Sequence, residues 1–225
     1  MRGLVIDTAL GLCTVAAFED ARLLAVRSEA MTRGHQERLG GFLREVGEAA
    51  GGFATLDRIG VTVGPGSFTG LRVGLAFAQG LGAALDRTVV GISALDALTA
   101  SAPEEPLAAA LIDARRGQVY ARFWRDGVPT GEPEALSLED AAARIAALGK
   151  EVRLVGTGAP LLADRFPDSA VLALDGPSPE ALAALTAAAD PSTHPPRPLY
   201  LRPPDATPPT RLPGQPRAEP ASDRA

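Results

Sequence analysis

Gly64-Pro65-Gly66-Ser67-Phe68-Thr69-Gly70-Leu71-Arg72-Val73-Gly74 joins a short apolar stretch, Arg58 to Val63, to a run of small and apolar side chains that continues to Leu85. Arg58 to Val63 is β-branched and bounded by turn residues, which predicts a buried strand. The glycines end that strand. Gly64 and Gly66 permit φ > 0 and close backbone approach, Pro65 fixes a turn, and Ser67 and Thr69 stand where they can cap the next helix. Such a corner gathers backbone N–H groups at the positive end of a helix and suits a phosphate. It equally suits a tight turn of small residues for close packing. Gly64, Gly66, Ser67 and Thr69 are therefore candidate phosphate contacts, with packing as the alternative.

Two familiar phosphate motifs are excluded by inspection. A P-loop needs Gly-Lys-Ser/Thr, but Lys150 is the only lysine and Leu71 follows Gly70; Gly64, Gly66 and Gly70 miss the G-x-G-x-x-G dinucleotide fingerprint by one residue. From Gly70 to Leu85 the only polar side chains are Arg72 and Gln79, seven apart and so on one face. A helix of this composition is expected to be buried nearly all round. Gly70, Gly74, Ala78 and Gly82 recur every four residues, a smooth stripe along which another backbone can approach.

With 225 residues and 46% hydrophobic content the chain can build a substantial core. Its net charge of −5 and pI near 5.1 are the opposite of what a protein gripping nucleic acid alone would carry, so RNA contact is expected only with a partner. The N-terminus lacks the pattern of a signal peptide and no run of about 18 apolar residues is present, which predicts a cytoplasmic protein without membrane contact. The lone Cys13 forms no internal disulfide.

Leu4 to Ile6 is an apolar strand ending in Asp7, and after the turn Thr8 to Gly11 come strands Leu12 to Phe18 and Arg22 to Arg27, a meander. His35 to Ala50 is an amphipathic helix with Leu39, Phe42, Leu43 and Val46 on one face. Thr88 to Ile92 is a strand and Ala94 to Thr99 opens a helix. After Pro103 to Pro106 the pattern returns: Ala108 to Ile112 ends in Asp113, and a turn leads to the strand Gln118 to Trp124. Gly11 and Gly117 each lie four residues after the Asp, which indicates an internal duplication. Glu139 to Leu148 is a helix, Val152 to Val155 a strand, Gly156-Thr157-Gly158 a second glycine corner, and Pro179 to Ala189 an Ala-rich helix.

The expected fold is α/β, actin-like (ribonuclease H-like), with two duplicated βββαβα-like halves over residues 1–103 and 104–206. From Pro191 onward lie 11 of the 20 prolines; Leu199-Tyr200-Leu201 can dock as an extended segment, while 207–225 is expected to be a disordered tail. In this architecture Asp7 and Asp113 are candidate cleft carboxylates for nucleotide phosphate and Mg²⁺. The alternative is that each caps its own turn. Arg115 and Arg116 lie in the second turn, where they can reach an anion. His35 and His194 are the only histidines, so neither a His-pair metal site nor a Ser-His-Asp triad can be assembled.

Gly64 to Gly74, Ile6-Asp7-Thr8, Ile112 to Gly117 with Tyr120, and the closing Tyr200-Leu201-Arg202 resemble the TsaB (YeaZ) family, accessory subunits of the bacterial tRNA threonylcarbamoyladenosine machinery and degenerate paralogues of TsaD. The resemblance spans roughly residues 1–206. The paralogue carries a metal on two histidines four apart; Ala94 and Leu98 stand there in this chain, and neither side chain binds a metal. Ala9-Leu10 replaces the small hydroxyl residues usual after Asp-Thr, which makes the first turn a poorer phosphate cradle. The resemblance therefore implies no catalytic residue, no metal and no intrinsic cofactor, with ATP or ADP entering only at the level of the complex. Implied partners are TsaD in a heterodimer, TsaE, a second copy of the chain when alone, and tRNA through the complex. His35, Leu39, Phe42, Leu43, Val46 and Arg72 are the expected partner interface, a partner helix covering the exposed part of the stripe. Competing readings are a free-standing actin-like phosphotransferase, favoured by Asp7, Asp113 and the glycine corners, and a peptidase, for which nucleophile and base are missing.

Overall fold

The computed structural model describes residues 1–20, 22–31 and 34–202. Strands β1 (Arg2–Asp7), β2 (Leu12–Glu19) and β3 (Arg22–Ala30) form the antiparallel meander, and α1 (His35–Ala49) carries the chain to β4 (Arg58–Gly64), parallel to β1. Helix α2 (Phe68–Leu85) leads to β5 (Thr88–Ser93), parallel to β4, and α3 (Ala94–Ala100) follows. The sheet order is β3-β2-β1-β4-β5.

The plan then repeats. Strands β6 (Leu107–Asp113) and β7 (Gln118–Arg125) take the places of β1 and β2, and α4 (Leu138–Leu148) that of α1; β10 (Arg153–Val155) and β11 (Val171–Leu172) take those of β4 and β5. Two short strands, β8 (Val128–Pro129) and β9 (Glu134–Ser137), both pair with β7 where the first half has β3. A 3-10 segment, Ala159–Arg165, stands in the place of α2, and α5 (Pro179–Ala188) closes the half. This is the duplicated actin-like arrangement. Strands β8, β9 and β11 and the 3-10 segment add to the elements expected from the sequence.

Alternation along the strands decides which helix covers which face. Leu4, Ile6, Val15, Ile59 and Val61 point to α1 and α2, while Val5, Ala16, Phe18, Val90 and Ile92 point the other way, to Leu182 and Ala183 of α5. In the second sheet Ala109, Leu111, Val119 and Phe123 meet α4, and Ala110, Ile112, Trp124 and Val155 meet Leu95 and Leu98 of α3. The last helix of each half thus covers the other half's sheet. Arg122 of β7 secures the exchange, donating to both carboxylate oxygens of Asp96 on α3 at 2.6 and 2.8 Å. At the other crossing, Gly60 of β4 gives α5 room for Thr186, and Arg58 donates to the carbonyls of Thr186, Ala187 and Ala189 at the helix C-terminus, where a cation is favoured.

Helix α2 corrects one expectation. Only Gly70, Leu71, Gly74, Leu75, Ala78 and Gly82 are buried, along a single face. Its length and mean hydropathy of 1.2 would allow a membrane span, a property shared by core helices of sheet proteins. The apolar composition serves two surfaces, one packed on the sheet and one open.

Candidate functional site

The glycine corner is filled by the first hairpin turn. A Cβ at Gly66 would fall inside van der Waals distance of the Ala9 carbonyl oxygen, one at Gly70 against the Thr8 carbonyl, and one at Gly74 against the Thr8 hydroxyl. Hydrogen bonds fix the approach: Ser67 N–H donates to the Ala9 carbonyl at 2.7 Å, and the Thr8 hydroxyl donates to the Gly70 carbonyl at 2.7 Å. Ser67 caps α2, its Oγ accepting from Gly70 N–H at 3.2 Å, and Thr69 is exposed. Gly64 has φ 105°, a value open to glycine. Close packing accounts for these contacts.

On its other side the turn meets the chain before α5, with Gly11 N–H donating to the Asp175 carbonyl at 2.9 Å. Asp7 lies beneath, wholly buried. Its Oδ1 accepts from Ala9 N–H at 3.0 Å and from the Thr62 hydroxyl at 2.7 Å, while Oδ2 has no partner. Burial pushes its pKa above the usual carboxylate range, against the two hydrogen bonds. A carboxylate facing an open cleft does not fit this burial. Asp113 keeps about a quarter of its side chain exposed; Oδ1 accepts from Arg115 N–H at 2.8 Å, and the Arg115 guanidinium lies 3.2 Å from Oδ2. The second corner supports it, Asp113 N–H donating to the Thr157 hydroxyl at 3.0 Å.

The α1 stripe is core. His35, Leu39, Phe42, Leu43 and Val46 are all buried, Leu39 completely and Leu43 to within 7%, so the expected exposed portion for a partner helix is corrected. Surface ion pairs Arg27–Glu45 and Arg38–Glu29, each 2.6 Å, bridge β3 and α1. His35 stands at the start of α1 with Nε2 unpartnered, and burial lowers its pKa, which suits a neutral ring at a positive helix end. The open apolar surface is on α2: Ala76, Gly80, Ala83 and Ala84 are exposed, and Val73, Phe77 and Leu81 half-exposed. Ala76, Phe77, Gly80 and Leu81 line a groove whose α1 wall is Leu43. Phe77 and Leu81 gave no signal of exposure, because an apolar residue reads the same whether its cover is its own sheet or another chain.

Arg72 and Gln79 do share a face, and the C-terminal strap lies along it. Gln79 donates to the Pro196 carbonyl at 2.9 Å, and Arg72 to the Tyr200 hydroxyl at 3.4 Å. Leu199 N–H donates to the Val63 carbonyl at 2.7 Å and Gly91 N–H to the His194 carbonyl at 2.8 Å, so Leu199 to Leu201 docks as expected. The 207–225 tail lies outside the described residues.

Ala94 and Leu98 are buried in α3. Among the described residues no group of three or more His, Cys, Asp and Glu side chains is placed to hold a metal. Burial pushes the Cys13 thiol up to about 11, so it is a core residue and not a nucleophile.

Residues 26–153 match the family model for TsaD, tRNA N6-adenosine threonylcarbamoyltransferase. The chain is 34% identical over 185 residues to the tRNA threonylcarbamoyladenosine biosynthesis protein TsaB of Escherichia coli, covering 78% of this chain and 80% of that one. It is 37% identical over 208 residues to an uncharacterized protein of Mycobacterium tuberculosis, covering 91% and 93%. Among solved structures, YeaZ from Pseudomonas aeruginosa superposes with a TM-score of 0.75 at 29% identity, covering 89% of this chain and 99% of that chain.

Proposed function

The chain belongs to the TsaB family of tRNA threonylcarbamoyladenosine biosynthesis proteins, and from that premise we propose that it is a non-catalytic subunit acting by binding TsaD and TsaE. One observation carries the reading: α2 leaves an apolar flank uncovered beside α1, in a chain whose own first phosphate turn is filled. The packing of Thr8 and Ala9 into the glycine corner and the full burial of Asp7 support a subunit that does not hold phosphates there by itself, and an uncovered helix flank calls for a second surface. Covering the part of Phe77 and Leu81 that remains exposed stabilises a complex by a fraction of the roughly 1.5–3 kcal/mol that full burial of such a side chain gives.

The preferred occupant is a helix of TsaD, with a second copy of this chain taking its place when TsaD is absent. Gly80 and Ala76 at the crest of α2 let another helix approach closely. Nucleotide belongs to the assembled complex and tRNA is reached through it, in the cytoplasm where tRNA is made. Co-purification from cell extract, with partners identified by mass, tests the reading: TsaD and TsaE are the expected captures. ATP turnover by the isolated chain, with neither partner captured, would favour the phosphotransferase instead.

A further inference from the structure

A second surface lies on the other flank of α2. Arg72 sits over the Phe68 ring, its Cζ 3.8 Å from the centroid, and the Tyr200 ring centroid lies 5.3 Å from that of Phe68. Phe68 and Tyr200 are each 43% exposed. Two residues on, Arg202 donates to the Ala114 carbonyl at 3.1 Å and to the Gln118 side-chain oxygen, which carries the row of side chains to the second hairpin turn. Arg115 projects from that turn, 86% exposed, and Arg197 is exposed on the strap.

The line gathers four arginines, Arg72, Arg115, Arg197 and Arg202, in a chain of net charge −5. Several other arginines pair with carboxylates, as in Arg27–Glu45, Arg38–Glu29, Arg144–Glu134 and Arg165–Glu139, and within the line Arg115 pairs with Asp113 at 3.2 Å. Among the described residues Arg72, Arg197 and Arg202 have no carboxylate within ion-pair distance, and the strap from Pro191 to Arg202 contains no acidic residue. A guanidinium stacked on a ring keeps its in-plane N–H groups for a phosphate, and exposed rings beside it offer faces to unstacked bases.

We propose that Phe68, Arg72, Arg115, Arg197, Tyr200 and Arg202 form a contact strip for single-stranded RNA. The inference rests on the functional reading above and deepens it, naming where this subunit touches the RNA of the complex. Helical spacing turns Phe77 and Leu81 away from Arg72, while Ala76, one turn on, borders both the groove and the strip. Too few cations line it for the chain to hold RNA alone, in keeping with a net charge of −5.

The test uses the complex of full-length chain with TsaD and TsaE and an unmodified tRNA transcript as probe. Dissociation constants are measured by fluorescence anisotropy over a salt series, for wild type and for the triple variant Arg72→Gln, Arg115→Gln, Arg197→Gln. Assembly should be unchanged by size exclusion, while RNA affinity falls roughly tenfold and the slope of log K against log salt becomes shallower by about two, as expected for the loss of three phosphate contacts. Each single substitution should give a smaller loss in the same direction. Affinity within twofold of wild type and an unchanged slope would overturn the inference while leaving the functional reading standing. Loss of assembly would also overturn it, by making the strip a protein contact. A wild-type complex that assembles but fails to hold tRNA, or fails to assemble, would defeat the functional reading and this inference together.

Discussion

After β4 the chain turns at Gly64 and runs into an 18-residue helix; after β10 it turns at Gly156 and runs into a 3-10 segment of seven residues. Both corners use glycine for close approach, Gly70 against Thr8 in one half and Gly158 against Leu111 and Asp113 in the other. Their outcomes differ in reach: about 27 Å for α2 against about 14 Å for the 3-10 segment. Only the longer element has turns enough to cover its sheet with one face, seat a strap on a second and leave a third uncovered. A duplicated framework can hence keep its strands and specialise through one connection.

The largest expected effect lies beneath α2. Leu39→Asp places a carboxylate in a site with no exposure and no partner, and the protein should fail to fold, seen as loss of the cooperative thermal transition. Retention of a folded chain would mean that the α1 stripe is not core. Next comes the corner. Gly70→Ala forces a methyl into the Thr8 carbonyl, which is backbone and cannot swing aside, so a loss of about 1–3 kcal/mol is expected in urea denaturation.

Asp7→Asn should have a smaller effect that depends on pH. The folded-state pKa of Asp7 is raised above its unfolded value of about 3.9, so its favourable contribution is complete below that value and lost as pH rises through the folded pKa. The asparagine keeps an oxygen for Thr62 and Ala9 and has nothing to ionise. Its stability relative to wild type should therefore rise between pH 4 and neutrality, and a flat difference would contradict the burial argument. Smallest is Gly80→Ala, where a Cβ meets nothing within 4 Å: the isolated chain should gain up to about 1 kcal/mol from helix propensity.

Much of this comparison was legible in the residues. The paired Ile-Asp turns and the glycine four residues after each Asp marked the duplication, and the 3.6-residue spacing of Leu39, Leu43 and Val46 marked α1. Other features were visible but unused: Asp126-Gly127, with φ 50° and 74°, is a two-residue hairpin signal that announces β8. Some were beyond local pattern. Strand β11 has two residues, too few for periodicity, and the exchange of α3 and α5 between halves depends on tertiary packing alone. The glycine corner suited phosphate and packing equally, and only the tertiary position of Thr8 and Ala9 shows what packs against Gly66, Gly70 and Gly74.

The docking role of the α2 flank is tested most directly at Ala76, which is exposed, so that a long charged side chain there leaves the isolated fold intact. Ala76→Arg is compared with Leu161→Arg, a change at an exposed position of the second half's 3-10 segment, by measuring TsaD binding by calorimetry and checking folding by circular dichroism. Ala76→Arg should weaken TsaD binding a hundredfold or more, about 2.7 kcal/mol, while Leu161→Arg binds as wild type and both remain folded. A folded Ala76→Arg protein that binds TsaD with wild-type affinity would contradict that docking role.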